Sequence, residues 1–181
     1  MSIEPDTKDW TWVLERRCPQ CGEDAQRIRP EQVAVLVRDC AVQWEKTLTG
    51  SDAAAIRRRP GPQVWSALEY GCHVRDVFVL FDERLASMLA QDNPTFASWD
   101  QDTAALEQGY GEEHPQQVAT DLGGAATTLA NRFEQVRPTQ WLRTGTRGDG
   151  FQFTVITLAR YLLHDVVHHL HDVRFPPPAA G

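Results

Sequence analysis

The sequence lacks the features of a membrane, secreted or nucleic-acid-binding protein. No apolar run reaches the roughly 18 residues that a bilayer-spanning helix needs. The amino end, residues 1 to 12, is acidic and polar, unlike a signal peptide. With a formal net charge of −7 and a pI near 5.3, the composition provides no basic surface for a nucleic-acid backbone. We therefore predict a cytoplasmic protein without nucleic-acid or membrane partners.

Cysteine is also scarce, with only four in 181 residues. In a reducing compartment such cysteines are thiols or metal ligands rather than disulfides. Cys40 and Cys72 each lie inside an apolar helical pattern, so we predict that both are buried thiols. The chain has no internal repeat, and its length and 41% hydrophobic content suit one folded domain without disulfide support.

Apolar residues recur at steps of three and four along four segments, a spacing typical of helices with one buried face. We predict helices over residues 31 to 48, from Ser66 to about residue 90, from Pro115 to about residue 137, and from Phe151 to about residue 173. Ser66 and Glu69 match the capping box that begins a helix. A short helix is expected over residues 100 to 106, and residues 50 to 63 are expected to form a loop.

These segments, together with the absence of convincing strand alternation, predict an all-α four-helix bundle. Two connections are long enough to cross an end of the bundle, so crossover connections are allowed. We expect an N-terminal extension over residues 1–29, the bundle over residues 30–174, and a disordered Pro-rich tail over residues 175–181.

The last helix carries four of the six histidines within eight residues: His164, His168, His169 and His171. Successive residues of a helix are turned by about 100°, so His168 lies about 40° from His164 in one direction and His171 lies about 20° from His164 in the other. His169 points away from these three histidines. An i, i+4 pair of imidazoles on one rigid helix is suited to chelating a metal. Ordinary core or surface histidines are the alternative, but a cluster of neutral imidazoles is costly to bury without hydrogen bonds or a metal.

A third ligand must come from another helix, and His73 is the best candidate. Glu69 and Asp76 flank it at helical spacing, where carboxylates could orient its ring. A satisfied core histidine is the competing interpretation for His73 alone.

Residues 65 to 73 (WSALEYGCH) and residues 164 to 170 (HDVVHHL) resemble the DinB superfamily, most closely its actinobacterial members, and the likeness extends over residues 31 to 173. The resemblance implies a four-helix bundle with crossed connections, in which one His of the second helix and two of the last hold zinc or nickel. Carried over by position, these ligands are His73, His164 and His168. Members of the superfamily include enzymes that use a low-molecular-weight thiol, such as mycothiol-dependent maleylpyruvate isomerase and bacillithiol transferases.

Cys18 and Cys21, followed by Gly22, resemble half of a zinc ribbon. No second CxxC is present, and His114 is the only other spare ligand, so three interpretations remain: a redox pair, a zinc shared with a partner, or a turn without function. The absence of a surrounding βαβ pattern disfavours redox activity.

Other side chains are weaker candidates. Arg75 and Arg160, like Arg143 and Arg147, could bind an anionic substrate or be surface charges. Trp65, Trp99 and Trp141 could line a pocket, although core packing is the better interpretation.

Three imidazoles would leave a coordination position open, as catalytic zinc sites do. Such a metal could bind a thiol or activate water, and the residues alone do not choose between the two. The resemblance implies a zinc- or nickel-dependent S-transferase or isomerase that uses a small thiol such as mycothiol, and we expect a monomer or homodimer. The alternatives are a metal-dependent hydrolase and a non-catalytic stress or sensor protein. A fourth protein ligand, perhaps His171 or Asp165, would favour the non-catalytic alternative.

Overall fold

The computed structural model describes residues 9–50 and 52–176, most of which are helical. The helices are α1 (Pro30–Thr49), α2 (Ala53–Arg57), α3 (Ala67–Ala90), α4 (Gln101–Gln108), α5 (Pro115–Glu134) and α6 (Val155–Arg174). The strands are β1 (Thr95–Phe96), β2 (Thr144–Arg147) and β3 (Gln152–Thr154). Short 3-10 turns span Thr11–Leu14, Ala25–Arg27, Tyr110–Glu112 and Pro138–Leu142.

The four long helices α1, α3, α5 and α6 form the bundle. Helix α5 packs against both α1 and α3, and α6 packs against the same two helices from the other side. Consecutive long helices are therefore not all neighbours in space, so connections cross an end of the bundle. The predicted all-α four-helix bundle is confirmed.

Local sequence explains where these helices begin. Pro30 and Pro115 occupy the first turns of α1 and α5, where the missing N–H costs nothing. The capping box at α3 is confirmed: the Glu69 N–H donates to Ser66 Oγ, and the Ser66 N–H donates to Glu69 Oε2 at 2.8 Å. Thr154 caps α6 in the same way, with its Oγ1 accepting from the Thr157 N–H.

The core lies between the four long helices. It is filled by fully buried aromatic and aliphatic side chains, including Trp44, Phe78, Leu85, Leu122, Leu129, Leu158 and Leu162. Trp44 Nε1 also donates to the Val166 carbonyl at 3.3 Å, which joins α1 to α6. The prediction of core thiols is confirmed, because Cys40 and Cys72 are both buried. Burial raises the pKa of each thiol to about 12.

A small sheet departs from the expected structure. β1 pairs with β2 in parallel, and β2 pairs with β3 in a hairpin. No strand exceeds four residues, so none is long enough to show a period of two in the sequence. The sheet packs closely on α3, because a Cβ at Gly145 would lie 2.9 Å from Met88 Cγ. The predicted loop after α1 likewise contains the short helix α2.

The segment before α1 lies against α6, and Val13, Cys18 and Ala25 are buried there. Helix α1 begins at Pro30 and α6 ends at Arg174. Of the predicted Pro-rich tail, residues 177–181 lie outside the described part of the chain. None of the described helices combines the length and the apolarity that crossing a membrane requires.

We expect Ser66→Ala to lower the free energy of unfolding by about 1 to 2 kcal/mol, because two hydrogen bonds at the start of α3 are lost. Urea denaturation measures this. Thr120→Ala is the control, since it removes an exposed hydroxyl that bonds only the Gln116 carbonyl within α5. Equal stability of the two variants would contradict the importance of the cap.

Candidate functional site

Helices α3 and α6 bring three possible metal ligands together. His73 of α3 faces Asp165 and His169, which are four residues apart on α6, and one ligand atom from each lies within 4.8 Å of the others. His73 Nε2 is 3.4 Å from Asp165 Oδ2, and His169 Nε2 is 3.6 Å from Asp165 Oδ1. We call this group the His73 cluster.

The His73 cluster contains buried polar atoms that lack hydrogen bonds. His73 is 1% exposed, and neither of its ring nitrogens has a hydrogen-bond partner among the described residues; nor does Asp165 Oδ2. Leaving such atoms unpaired costs about 1 to 3 kcal/mol each. Two imidazoles and a carboxylate are ligands that zinc and related divalent metals accept. The donor set therefore fits a metal ion.

Electrostatics prepare His73 and Asp165 for that role, whereas His169 must release a proton before it can bind a metal. Burial lowers the pKa of His73, so its ring is neutral and has a lone pair to donate. Burial alone would raise the pKa of Asp165, but the adjacent His169 and His73 hold it far below its usual value. Burial opposes charge on His169 as well, yet Asp165 and Asp172 raise its pKa to about 9.

His169 is oriented from its far side. Its Nδ1 lies 3.2 Å from Asp172 Oδ2, within hydrogen-bonding distance, and its Nε2 faces the His73 cluster. A carboxylate in that position fixes the ring and leaves Nε2 directed at the site. Trp99 stacks on His73 with ring centroids 5.4 Å apart, and Tyr70 packs 4.8 Å from His169. Aromatic rings therefore hold both imidazoles in place.

A cavity of about 260 Å³ opens beside His73 and Asp165. Its wall includes Trp10, Phe81, Arg84, Trp99, Arg147 and Tyr161. These residues come from the N-terminal segment, α3, the β1–α4 connection, β2 and α6. The small sheet thus places Arg147 at the site. Trp99 lines this cavity, although core packing was the favoured interpretation for it, whereas Trp65 is buried against His73 as core packing predicts.

Arg84 gives the cavity an unusual positive charge. It is 8% exposed, its Nε has no hydrogen-bond partner, and no carboxylate in the described ranges forms an ion pair with it. Burial and the nearby Arg147 lower its pKa to about 10, so it remains charged at neutral pH. Arg147, in contrast, is paired with Asp149 at 2.7 Å. The Nη2 of Arg84 donates to the Ala97 carbonyl at 3.3 Å, but a buried guanidinium without a carboxylate partner is suited to bind an anion.

A second group of ligand types lies on another side of α6. Cys18 Sγ is 3.7 Å from His168 Nδ1, and Cys21 Sγ is 3.7 Å from His164 Nε2. One ligand atom from each of the four residues lies within 4.8 Å of the others. We call this group the Cys18 cluster.

The structure thus divides the ligands that the sequence joined. His164 and His168 face the two cysteines, whereas His73 groups with Asp165 and His169. The two i, i+4 pairs of α6 differ by one residue and point about 100° apart. From the sequence, Asp165 was predicted only as an alternative ligand. His169 was not predicted as a ligand, because it points away from the other histidines.

The remaining site candidates have structural partners. Glu69 is occupied by the capping box and an ion pair with Arg59, and Asp76 accepts from Tyr110 and Arg75. Neither orients His73 through a hydrogen bond.

Of the four arginines that could bind an anionic substrate, Arg147 lines the cavity, whereas Arg75 and Arg160 are engaged elsewhere. Arg75 pairs with Asp76 and Glu113, and Arg160 donates to the Ile28 carbonyl. Neither belongs to the described cavity wall. His171 lies beside Phe175 and outside both clusters. Arg84, which lines the cavity, gave no distinctive signal in the sequence.

The long helices form a four-helix bundle, and the His73 cluster within it is a candidate metal site. The family model of the DinB superfamily matches residues 38–173, so the chain belongs to that superfamily. The resemblance seen in the sequence is confirmed. A comparison with curated proteins finds no significant sequence match.

Solved structures show the same fold at low identity. YfiT from Bacillus subtilis, described as a probable metal-dependent hydrolase with an unusual four-helix bundle topology, matches with a TM-score of 0.71 and 12% identity, covering 78% of this chain and 82% of that one. Mycothiol-dependent maleylpyruvate isomerase matches with a TM-score of 0.66 and 11% identity, over 82% of this chain. The match spans 62% of the isomerase, so about two fifths of that enzyme has no counterpart here.

We expect His73→Ala to remove one equivalent of divalent metal, because it deletes the only ligand that α3 contributes to the His73 cluster. The double variant His164→Ala and His168→Ala should keep that equivalent. Elemental analysis after equilibration with a weak chelator measures both. His114→Ala, which changes an exposed histidine, is the control. If both sets of substitutions removed the same metal, the three histidines would form one site as the sequence suggested.

Proposed function

We propose that this chain is a metal-dependent enzyme that transfers a small-molecule thiol to an anionic electrophile, or uses the thiol to isomerise it. The observation that carries the proposal is the His73 cluster, whose three donors lie beside a cavity. The wall of that cavity includes Arg84, which has no carboxylate partner among the described residues. When bound, a divalent cation supplies the Lewis acidity that deprotonates a thiol or a water molecule at neutral pH. Zinc is the expected metal and nickel the alternative.

The chain itself provides no thiolate nucleophile near this site. Cys72 adjoins His73 in sequence, but its sulfur lies 3.7 Å from the Tyr110 carbonyl, and its pKa is raised to about 12 by burial. The nucleophile must therefore come from solution. A soluble thiol such as mycothiol meets this need, and the structural neighbour is described as a mycothiol-dependent enzyme.

The cavity wall indicates the kind of electrophile. The guanidinium of Arg84 lies 5.2 Å from the Phe81 ring centroid and 5.7 Å from that of Phe96, so aromatic faces hold it in place. A carboxylate on the substrate would provide the acceptor that its Nε lacks. Trp99 and Phe81 restrict the water around the reacting groups. The cavity suits a small carboxylic acid.

A metal-dependent hydrolase is the second candidate, since YfiT is described as a probable one. The same cluster and cavity would then position water instead of a thiol. A non-catalytic sensor is less well supported, because the His73 cluster has three donors among the described residues and opens to a cavity. A site without turnover is expected to complete its coordination with a fourth protein ligand.

Calorimetry with mycothiol tests the thiol. We expect binding to the metal-loaded protein and none to the metal-stripped protein or to His73→Ala, because the thiolate needs the cation. Equal affinity for loaded and stripped protein would contradict the proposal. Hydrolysis of a carboxylic ester without added thiol, abolished by His73→Ala, would favour the hydrolase instead.

Arg84→Gln tests the charge of the electrophile. We expect kcat/KM for mycothiol and iodoacetate to fall about 10- to 100-fold, because a charge-assisted hydrogen bond of about 1.5 to 3 kcal/mol is lost. The rate with neutral iodoacetamide should change little. Arg58→Gln, which alters an exposed arginine, is the control. Equal losses for the two electrophiles would show that Arg84 acts through structure rather than through charge recognition.

A further inference from the structure

The chain before α1 forms a tight turn that presents two sulfurs to α6. The Cys18 N–H donates to the Glu23 carbonyl at 2.8 Å, and the Gly22 N–H donates to the Cys18 carbonyl at 3.0 Å. Gly22 has a φ of 77°, a left-handed conformation that a glycine adopts without strain. Arg17 Nε donates to the Gly22 carbonyl, which closes the turn further. The turn therefore fixes the direction of both side chains.

The resulting Cys18 cluster has the dimensions of a tetrahedral zinc site. Bond lengths of about 2.3 Å to sulfur and 2.0 to 2.1 Å to nitrogen place sulfur and nitrogen ligands about 3.6 Å apart in a tetrahedron. Both observed sulfur–nitrogen distances are 3.7 Å. All four residues are buried or partly buried, and all four ligand atoms lie within 4.8 Å of one another.

We propose that Cys18, Cys21, His164 and His168 bind one Zn²⁺ as a closed, four-coordinate structural site, separate from the His73 cluster. Two thiolates and two imidazoles fill the coordination sphere that structural zinc prefers. The site differs in kind from the His73 cluster, which has three donors, no sulfur and an adjacent cavity. It also completes the CxxC within one chain, without a partner's ligands.

The surroundings of the Cys18 cluster also fit zinc. His168 turns its other nitrogen toward Asp172 at 3.7 Å, as metal-bound histidines do.

The zinc would join the N-terminal segment to the bundle at the wall of the cavity. The Trp10 ring lies 5.0 Å from that of His168 and 6.0 Å from that of His164, and it also lines the cavity beside His73. Ligation of those two histidines therefore fixes the surface on which Trp10 rests. The structural site thus supports one wall of the candidate active site.

Cobalt substitution of the full chain tests the site directly. Thiolate ligands give Co²⁺ an intense sulfur-to-metal charge-transfer band, which nitrogen and oxygen ligands do not give. We expect the band in the Co²⁺-loaded protein and its loss in the Cys18→Ala and Cys21→Ala double variant. One equivalent of zinc should be lost with it, and Tm should fall by at least about 5 °C. Cys40→Ala, which also removes a buried thiol, should keep both band and zinc.

Two further variants keep the outcome decisive. His73→Ala should keep the charge-transfer band, because His73 does not belong to the Cys18 cluster. If this variant loses the thiol-dependent activity but keeps the band, the zinc proposal still stands. His168→Cys should keep the zinc and raise the band intensity roughly by half, since three thiolates replace two. No band in the Co²⁺-loaded wild type, an unchanged band in the double cysteine variant, or an unchanged band in His168→Cys would overturn the proposal.

Discussion

The arrangement of this molecule depends on the direction of polar side chains along one helix. Successive residues of an α-helix are turned by about 100°, so the pair His164 and His168 points to a different side of α6 from the pair Asp165 and His169. One pair faces the N-terminal segment and the other faces α3. A single buried helix thus has two polar stripes, and each requires a partner that can satisfy it.

Burying so many polar groups is costly, and the chain offsets the cost around His169 but not around His73. Around His169, the carboxylates of Asp165 and Asp172 favour the charged imidazole and raise its pKa. Around His73, in contrast, both ring nitrogens remain without a hydrogen bond. An apolar pair of the same shape would avoid this penalty. The retention of unsatisfied ligand atoms is thus an argument for metal binding rather than for packing.

The sequence was sufficient for the bundle because its information is local. Periodic apolar residues and the Ser66 cap define helices from within one segment, and the four long helices lie in the predicted segments. The last helix, however, begins at Val155 and not at Phe151, because residues 152–154 form β3. The hairpin at residues 144 to 154 was missed because strands of three and four residues have no readable period. Such strands are stabilised by packing on α3, a contact that no local pattern reveals.

The site was harder to predict because it depends on how helices rotate against one another. His164 with His168 and Asp165 with His169 have identical spacing, so spacing alone cannot show which pair faces His73. By residue type, His164 and His168 are the better chelating pair, so they were predicted to bind the metal together with His73. Only the packing of α3 against α6 distinguishes the alternatives. Arg84 was missed for the same reason. In the sequence it is one of 18 Lys and Arg residues, and only the three-dimensional structure shows that its Nε has no acceptor.

The two clusters are physically connected through Trp10. This residue lies outside the part of the chain that the DinB family model matches, which begins at residue 38, yet it contacts both histidines of the Cys18 cluster and lines the cavity of the His73 cluster. A rigid aromatic wall discriminates between ligands only if its own position is fixed. Trp10 belongs to a short segment with little regular structure, so its position must be set by contacts with α6. If zinc binds as proposed, the metal that fixes those contacts contributes to the shape of the cavity without touching a substrate. The N-terminal segment would then help to shape the cavity beside the candidate site that the bundle provides.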